Sequence, residues 1–210
     1  MSKTLDFSSN ELGRDVTLVL VFEPHNDGSL YQSLFPVAWK VLTFSAAGAS
    51  QASVRYTAEG AFFVPQTAGG DNVFSIDYKR IDIGGKCVME TDDEGMNFLN
   101  PAVEGNPNSM QCEINTSQPS SVGFGTLSGT RSTVEPLMFW NKVGVSNTVS
   151  LKFTPKLKVF AEHDYHEKQI IRGKIGSTVI LEQDLDDLPS SSQWVVSIDS
   201  GTGEVTIERA

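Results

Sequence analysis

Two of the chain's three histidines fall together in the run Glu162-His163-Asp164-Tyr165-His166-Glu167. Imidazole and carboxylate groups are the ligands that divalent transition metals take from proteins, and imidazole also exchanges protons near neutral pH. On a regular strand, however, His163 and His166 point to opposite faces, because side chains alternate with a period of two. One ion takes both only where the strand bulges or turns. His25, just beyond the first strong strand pattern, is the natural third ligand if the two elements lie side by side. His25, His163 and His166 are therefore the candidate metal set, and a metal-dependent enzyme is the activity they would support.

Aromatic side chains are the second signal. Trp39, Trp140 and Trp194, with Tyr31, Phe35, Phe62, Phe63 and Phe139, are enough to line a pocket for a flat ligand or a sugar. Strand ends and the loops beyond them carry function while sheets supply rigidity. The sequence thus leads us to expect His163, Tyr165 and His166 at the mouth of a ligand site, with Trp39 or Trp140 as its apolar wall. In that reading Trp39, Trp140, His163 and Tyr165 bind the ligand, and Tyr165 shares a face with His163 and with Leu157, Val159 and Ala161. No catalytic residue is assigned. Gly125-Thr126-Leu127-Ser128-Gly129 is not a nucleophile elbow, and Gly123-Phe124-Gly125 has no following helix to receive a pyrophosphate. Asp184, Asp186 and Asp187 lack the spacing of a calcium loop and read as a solvated face.

The elements that must position these residues are strands. Val16 to Phe22 is a β-branched and aromatic run stopped by Pro24, and predicts a central strand. Val37 to Phe44 is apolar on both faces and predicts a strand of the interior. Further strand patterns occupy Ala52–Ala58, Ala61–Val64, Asp71–Asp82 and Lys86–Glu90. Thr91 to Gly95 is a hairpin tip. The stretch from Asn100 to Ser121, rich in Pro, Asn and Ser, reads as a long surface loop interrupted by a short strand at Met110–Ile114. After the histidines, Gln169–Ile175 and Ser177–Leu181 extend the β pattern. The acidic run Gln183 to Pro189 is a turn or short helix, and Trp194–Asp199 with Glu204–Glu208 forms a closing hairpin. No helical period exceeds about two turns, so the fold class is all-β, an antiparallel sandwich or barrel built as one domain over residues 1–210.

A chain of 210 residues with 39% hydrophobic and 20% charged residues can bury a full core. Its net charge of -10 argues against nucleic acid, whose recognition needs clustered Lys and Arg, and against anionic membrane surfaces. No apolar run reaches the ~20 residues that span a bilayer. The acidic start has no signal-like apolar segment, so the expected location is the cytoplasm, with Cys87 and Cys112 as free thiols.

The phrase Pro36-Val37-Ala38-Trp39-Lys40-Val41-Leu42, followed by Ala61-Phe62-Phe63, resembles the acidic, signal-free β-proteins of basidiomycete fruiting bodies, oyster-mushroom chromoproteins among them. The likeness covers the first third of the chain. It implies a non-enzymatic, homodimeric protein that holds a small organic chromophore. No functional residue is carried over from it. The functional expectations are thus a binding protein for a small aromatic ligand or pigment, a lectin-like carbohydrate binder, or the metal enzyme above, whose cofactor would be a divalent ion.

Overall fold

A computed structural model describes residues 2–24, 28–69, 71–130 and 133–210. Alternating and continuous apolar runs become strands, which assemble into four open sheets. Sheet I is ordered β18 (Val205–Arg209), β17 (Ser191–Ile198), β1 (Ser2–Asn10) and β5 (Ala49–Thr57). Sheet II is ordered β16 (Val179–Asp184), β15 (Lys156–Ala161), β2 (Val16–Phe22) and β4 (Ala38–Phe44). Sheet III is ordered β3 (Leu34–Pro36), β13 (Val134–Val143), β12 (Ser120–Leu127), β6 (Gly60–Ala68) and β7 (Asn72–Arg80). Sheet IV is ordered β10 (Val103–Glu104), β8 (Gly85–Thr91), β11 (Met110–Asn115) and β14 (Thr148–Leu151), and β9 (Asn97–Leu99) also pairs with β8. A short 3-10 turn, Leu185–Asp187, follows β16. Among the described residues no sheet closes on itself, which decides the sandwich-like arrangement over the barrel. None forms a helix long and apolar enough to cross a membrane.

The terminal strands enter one sheet: β1 runs parallel to β17, which forms a hairpin with β18. That ladder and the β8–β11 ladder are parallel, unlike the antiparallel pairing of the rest. A hairpin cannot make either one, because parallel neighbours need a crossover through the rest of the chain. The β8–β11 ladder sets Cys112 directly beside Cys87. Both are buried and unbridged. The Cys112 thiol is held above its ordinary range, first by hydrogen bonding with Cys87 and then by burial.

The central position of β2 explains its unbroken apolar run. Leu18, Leu20 and Phe22 enter the main core, while Val19 and Val21 are covered on the opposite face by Ala38, Phe160, Ile171 and Ile175. The main core takes residues from all four sheets, among them Phe7, Leu20, Phe124 and Ile114. In sheet III, Phe63 lies against the backbone of Gly123, where a Cβ would stand 2.0 Å from the Phe63 ring. Only glycine fits there.

Three expectations change. β4 is an edge strand rather than an interior one: Ala38, Trp39 and Phe44 are buried, and Lys40 turns to Glu135 and Glu167, at 3.1 Å each. Residues 169–175 form no strand, because their backbone groups are taken one at a time. Ile171 N–H donates to Pro36, Ile170 N–H to Asp71, and Gln169 C=O accepts from Ala38. The stretch 100–121 carries β10, β11 and the start of β12, and Met110, Cys112 and Ile114 are buried. The strand expected at Met110–Ile114 is present as β11, and Pro101, Pro107, Pro119, Asn100, Asn106 and Asn108 sit between the strands, which is why composition reads the rest of the stretch as a loop.

Candidate functional site

The residues expected to form one site are dispersed: Trp39 and Tyr165 lie on opposite faces of sheet II, and Trp140 lies in sheet III. Trp39 is on the inner face, 1% exposed, with its ring 5.1 Å from that of Phe22. Its indole N–H donates to Glu135 Oε2 at 2.7 Å. Every polar and apolar need of this ring is met internally, so Trp39 is core. Trp140 is also buried, packs against Phe62 at 6.4 Å and borders a hollow of about 500 Å³ beside Asn141 and Asn147.

Tyr165 lies on the other face. After Ala161 the chain leaves β15 and folds over the outside of sheet II, so Tyr165 packs on the cluster of Val19, Val21, Ala38 and Phe160. The alternation that placed it with Leu157 and Val159 ends with the strand. His163 and His166 are both exposed, and their backbone N–H groups donate to Glu162 Oε1 at 3.2 Å and Gln169 Oε1 at 2.8 Å. Ligand atoms of Glu162, His163 and Asp164 come within 4.8 Å of one another, a group that does not include His166. His25 lies outside the described residues. What the turn brings together is one imidazole and two carboxylates at the surface.

Convergence occurs instead at the opposite end of β15. The connection from β14 to β15 passes from sheet IV to sheet II as Lys152-Phe153-Thr154-Pro155, and proline, lacking an N–H, cannot extend the ladder. Pro155 C=O accepts the N–H of Leu185, which fixes the 3-10 turn beside it. Phe153, half-buried, points between the sheets, 5.8 Å from the ring of Phe22 and 5.3 Å from that of Phe124. It joins two buried aromatic groups, Trp39–Phe22–Tyr56 on one side and Phe124–Phe62–Trp140 on the other. These edge and tilted contacts are the geometries that ring quadrupoles favour.

Beside Phe153 is a cleft of about 450 Å³ at the junction of the four sheets. Sheet I contributes Tyr56, sheet III Phe124 and Thr126, and sheet IV Met110, while Asp186 comes from the turn after sheet II. Gly60 keeps the floor open: a Cβ there would meet the Phe124 ring at 3.0 Å. Thr126 is 1% exposed, and its hydroxyl has no hydrogen-bond partner. A buried hydroxyl left unpaired costs about 1–3 kcal/mol, so this group is out of balance with its apolar surroundings. The Tyr56 phenol is held well above its ordinary range, first by burial and then by the nearby Asp186 and Asp184 carboxylates. It remains a neutral donor at physiological pH. A second, larger cleft of about 930 Å³ lies on the other side of Phe153, lined by Glu23, Lys152, Lys156, Glu182 and Asp184 among others. There Lys158 is held by Glu23 at 2.6 Å and Lys156 is paired with Glu182.

Sequence reading did not single out Tyr56, Phe124, Thr126 or Phe153. Each sits in an unremarkable strand pattern except Phe153, whose place just before Thr154-Pro155 marks an aromatic at a strand break. Comparison with protein-family models, with curated proteins and with solved structures gives no match for this chain.

Proposed function

We propose that this chain is a non-enzymatic binding protein that takes a small flat aromatic ligand, of the size of a pigment, into the cleft beside Phe153. The observation that carries this reading is a cleft walled by Phe124, Phe153 and Tyr56, with Thr126 in its lining and the buried Thr126 hydroxyl left without a partner in the protein. Rings on the walls with one or two fixed polar groups is the pattern of small-molecule sites, and about 450 Å³ falls within their ordinary size. A ligand hydroxyl or carbonyl bonded to Thr126 removes the cost of its isolation. No nucleophile with a partnered base lines the cleft among the described residues, and this favours retention over turnover.

The test is a titration with 2-naphthol, a flat probe carrying one hydroxyl, followed by thermal shift. Saturation at about 100 times Kd stabilises by about 2.7 kcal/mol, an upward shift of about 5–10 °C for a chain of this size. Thr126→Val should reduce the affinity about tenfold, since one hydrogen bond in a dry site is worth about 1–1.5 kcal/mol. A titration without saturation, or one insensitive to Thr126→Val, removes the site from this cleft.

A further inference from the structure

We infer that the cleft beside Phe153 selects aromatic ligands that carry positive charge. This rests on the cleft being a ligand site and adds the class of ligand. Among the residues lining it are two carboxylates, Asp82 and Asp186, and no lysine, arginine or histidine. Asp82 is already engaged by Arg80 at 3.5 Å, which leaves Asp186 as the principal charge.

The turn holding Asp186 is built to keep that carboxylate available. Asp184 caps the turn, its Oδ1 accepting the N–H of Asp186 at 3.0 Å, so the capping work falls to one aspartate while the other remains at the cleft edge. The influence of both carboxylates on the Tyr56 phenol shows that their field reaches the aromatic wall. Tyr56, Phe124 and Phe153 line the cleft, and aromatic rings attract a cation that comes to lie over their faces. Rings and carboxylate therefore favour the same ligand, a delocalised organic cation that stacks and is weakly hydrated. An anionic ligand meets no compensating cation in this lining. The chain's net charge of -10 acts in the same direction at long range, drawing cations toward the surface.

The test compares three probes of nearly one shape: N-methylquinolinium, uncharged quinoline, and quinoline-2-carboxylate, titrated into the full chain at pH 8 and low salt. The cation should bind about tenfold or more tighter than quinoline, as expected for a desolvated cation–π contact reinforced by a carboxylate. The carboxylate should bind more weakly than both. Asp186→Asn, an exposed change, should cut the ratio of cation to quinoline affinity, measured within the same variant, to about threefold or less. Asp93→Asn, in the hairpin tip between β8 and β9, alters net charge equally and should leave the preference intact. If quinoline binds and the cation is not preferred, or both aspartate variants lose the preference alike, the charge selection is wrong while the cleft stands as a site. If none of the three binds, both readings fall.

Discussion

The two ends of β15 make opposite use of their chemistry. Beyond Ala161 the chain places two histidines, a tyrosine and three carboxylates in six residues, and the fold lays them on the outside of sheet II, where His163 and His166 face water. Before Lys156 it places a single phenylalanine, and the fold surrounds that ring with side chains from all four sheets. Lys156 and Ala161, the two ends of the strand, are about 17 Å apart at ~3.3 Å per residue. Residue types suggest a site at the first end, whereas burial with convergence makes a cleft at the second. Exposed groups are already satisfied by water, whereas a buried polar atom in a cavity has a need that only a ligand or ordered water can meet.

The largest effect that sharpens this contrast is expected of Phe153→Ala. The change removes the ring that bridges Phe22 and Phe124 and merges the two clefts, at a cost of about 2–3 kcal/mol for a half-buried phenylalanine. Thermal unfolding should fall by about 5–10 °C, and 2-naphthol binding should be lost. A drop below about 2 °C would show that the four-sheet junction does not depend on this ring.

Thr126→Val is expected to act in the other direction on stability. Replacing an unpaired buried hydroxyl by a methyl group of the same shape should stabilise the ligand-free chain by about 1 kcal/mol, raising its melting point by about 2–4 °C while affinity drops. A fall in melting point would mean the hydroxyl has a partner in the ligand-free protein.

A smaller effect is expected at alkaline pH. The folded state raises the ionisation of Tyr56 above its ordinary value near ~10, so folding favours the protonated phenol. The stabilisation is fully present below about pH 10 and is lost as pH rises toward the folded value. Denaturant midpoints at pH 8 and pH 11 should therefore differ less in Tyr56→Phe than in the parent chain, and equal differences would refute the burial of the phenol.

The smallest effect belongs to the histidines. His163→Ala and His166→Ala should each change stability by no more than about 0.5 kcal/mol, as is usual for exposed side chains, and should leave 2-naphthol binding unchanged. Either variant weakening the probe would return the site to the far end of β15.

Much of the fold is legible in residue pattern. The central strand at Val16–Phe22, the hairpin tip at Thr91–Gly95, the short turn near Asp184–Asp187 and the closing hairpin that ends in Val205–Arg209 all follow from local rules, because alternation and turn chemistry act within a few residues. The edge position of β4 does not, since an apolar strand looks the same whether its second neighbour is a strand or water. Nor does the face of Tyr165, because period-two alternation carries meaning only while the strand continues. The parallel ladders β1–β17 and β8–β11 join residues far apart in the chain, and no local signal encodes such a pairing. The candidate site belongs wholly to that second class. Sequence alone determined that the chain is a β-protein rich in aromatic rings and acidic groups. Only the packing of four sheets decided that Tyr56, Phe124, Thr126, Phe153 and Asp186 share one cleft, because Tyr56 comes from β5, Phe124 and Thr126 from β12, and Phe153 and Asp186 from two separate connections, so that their proximity is a property of the assembled core.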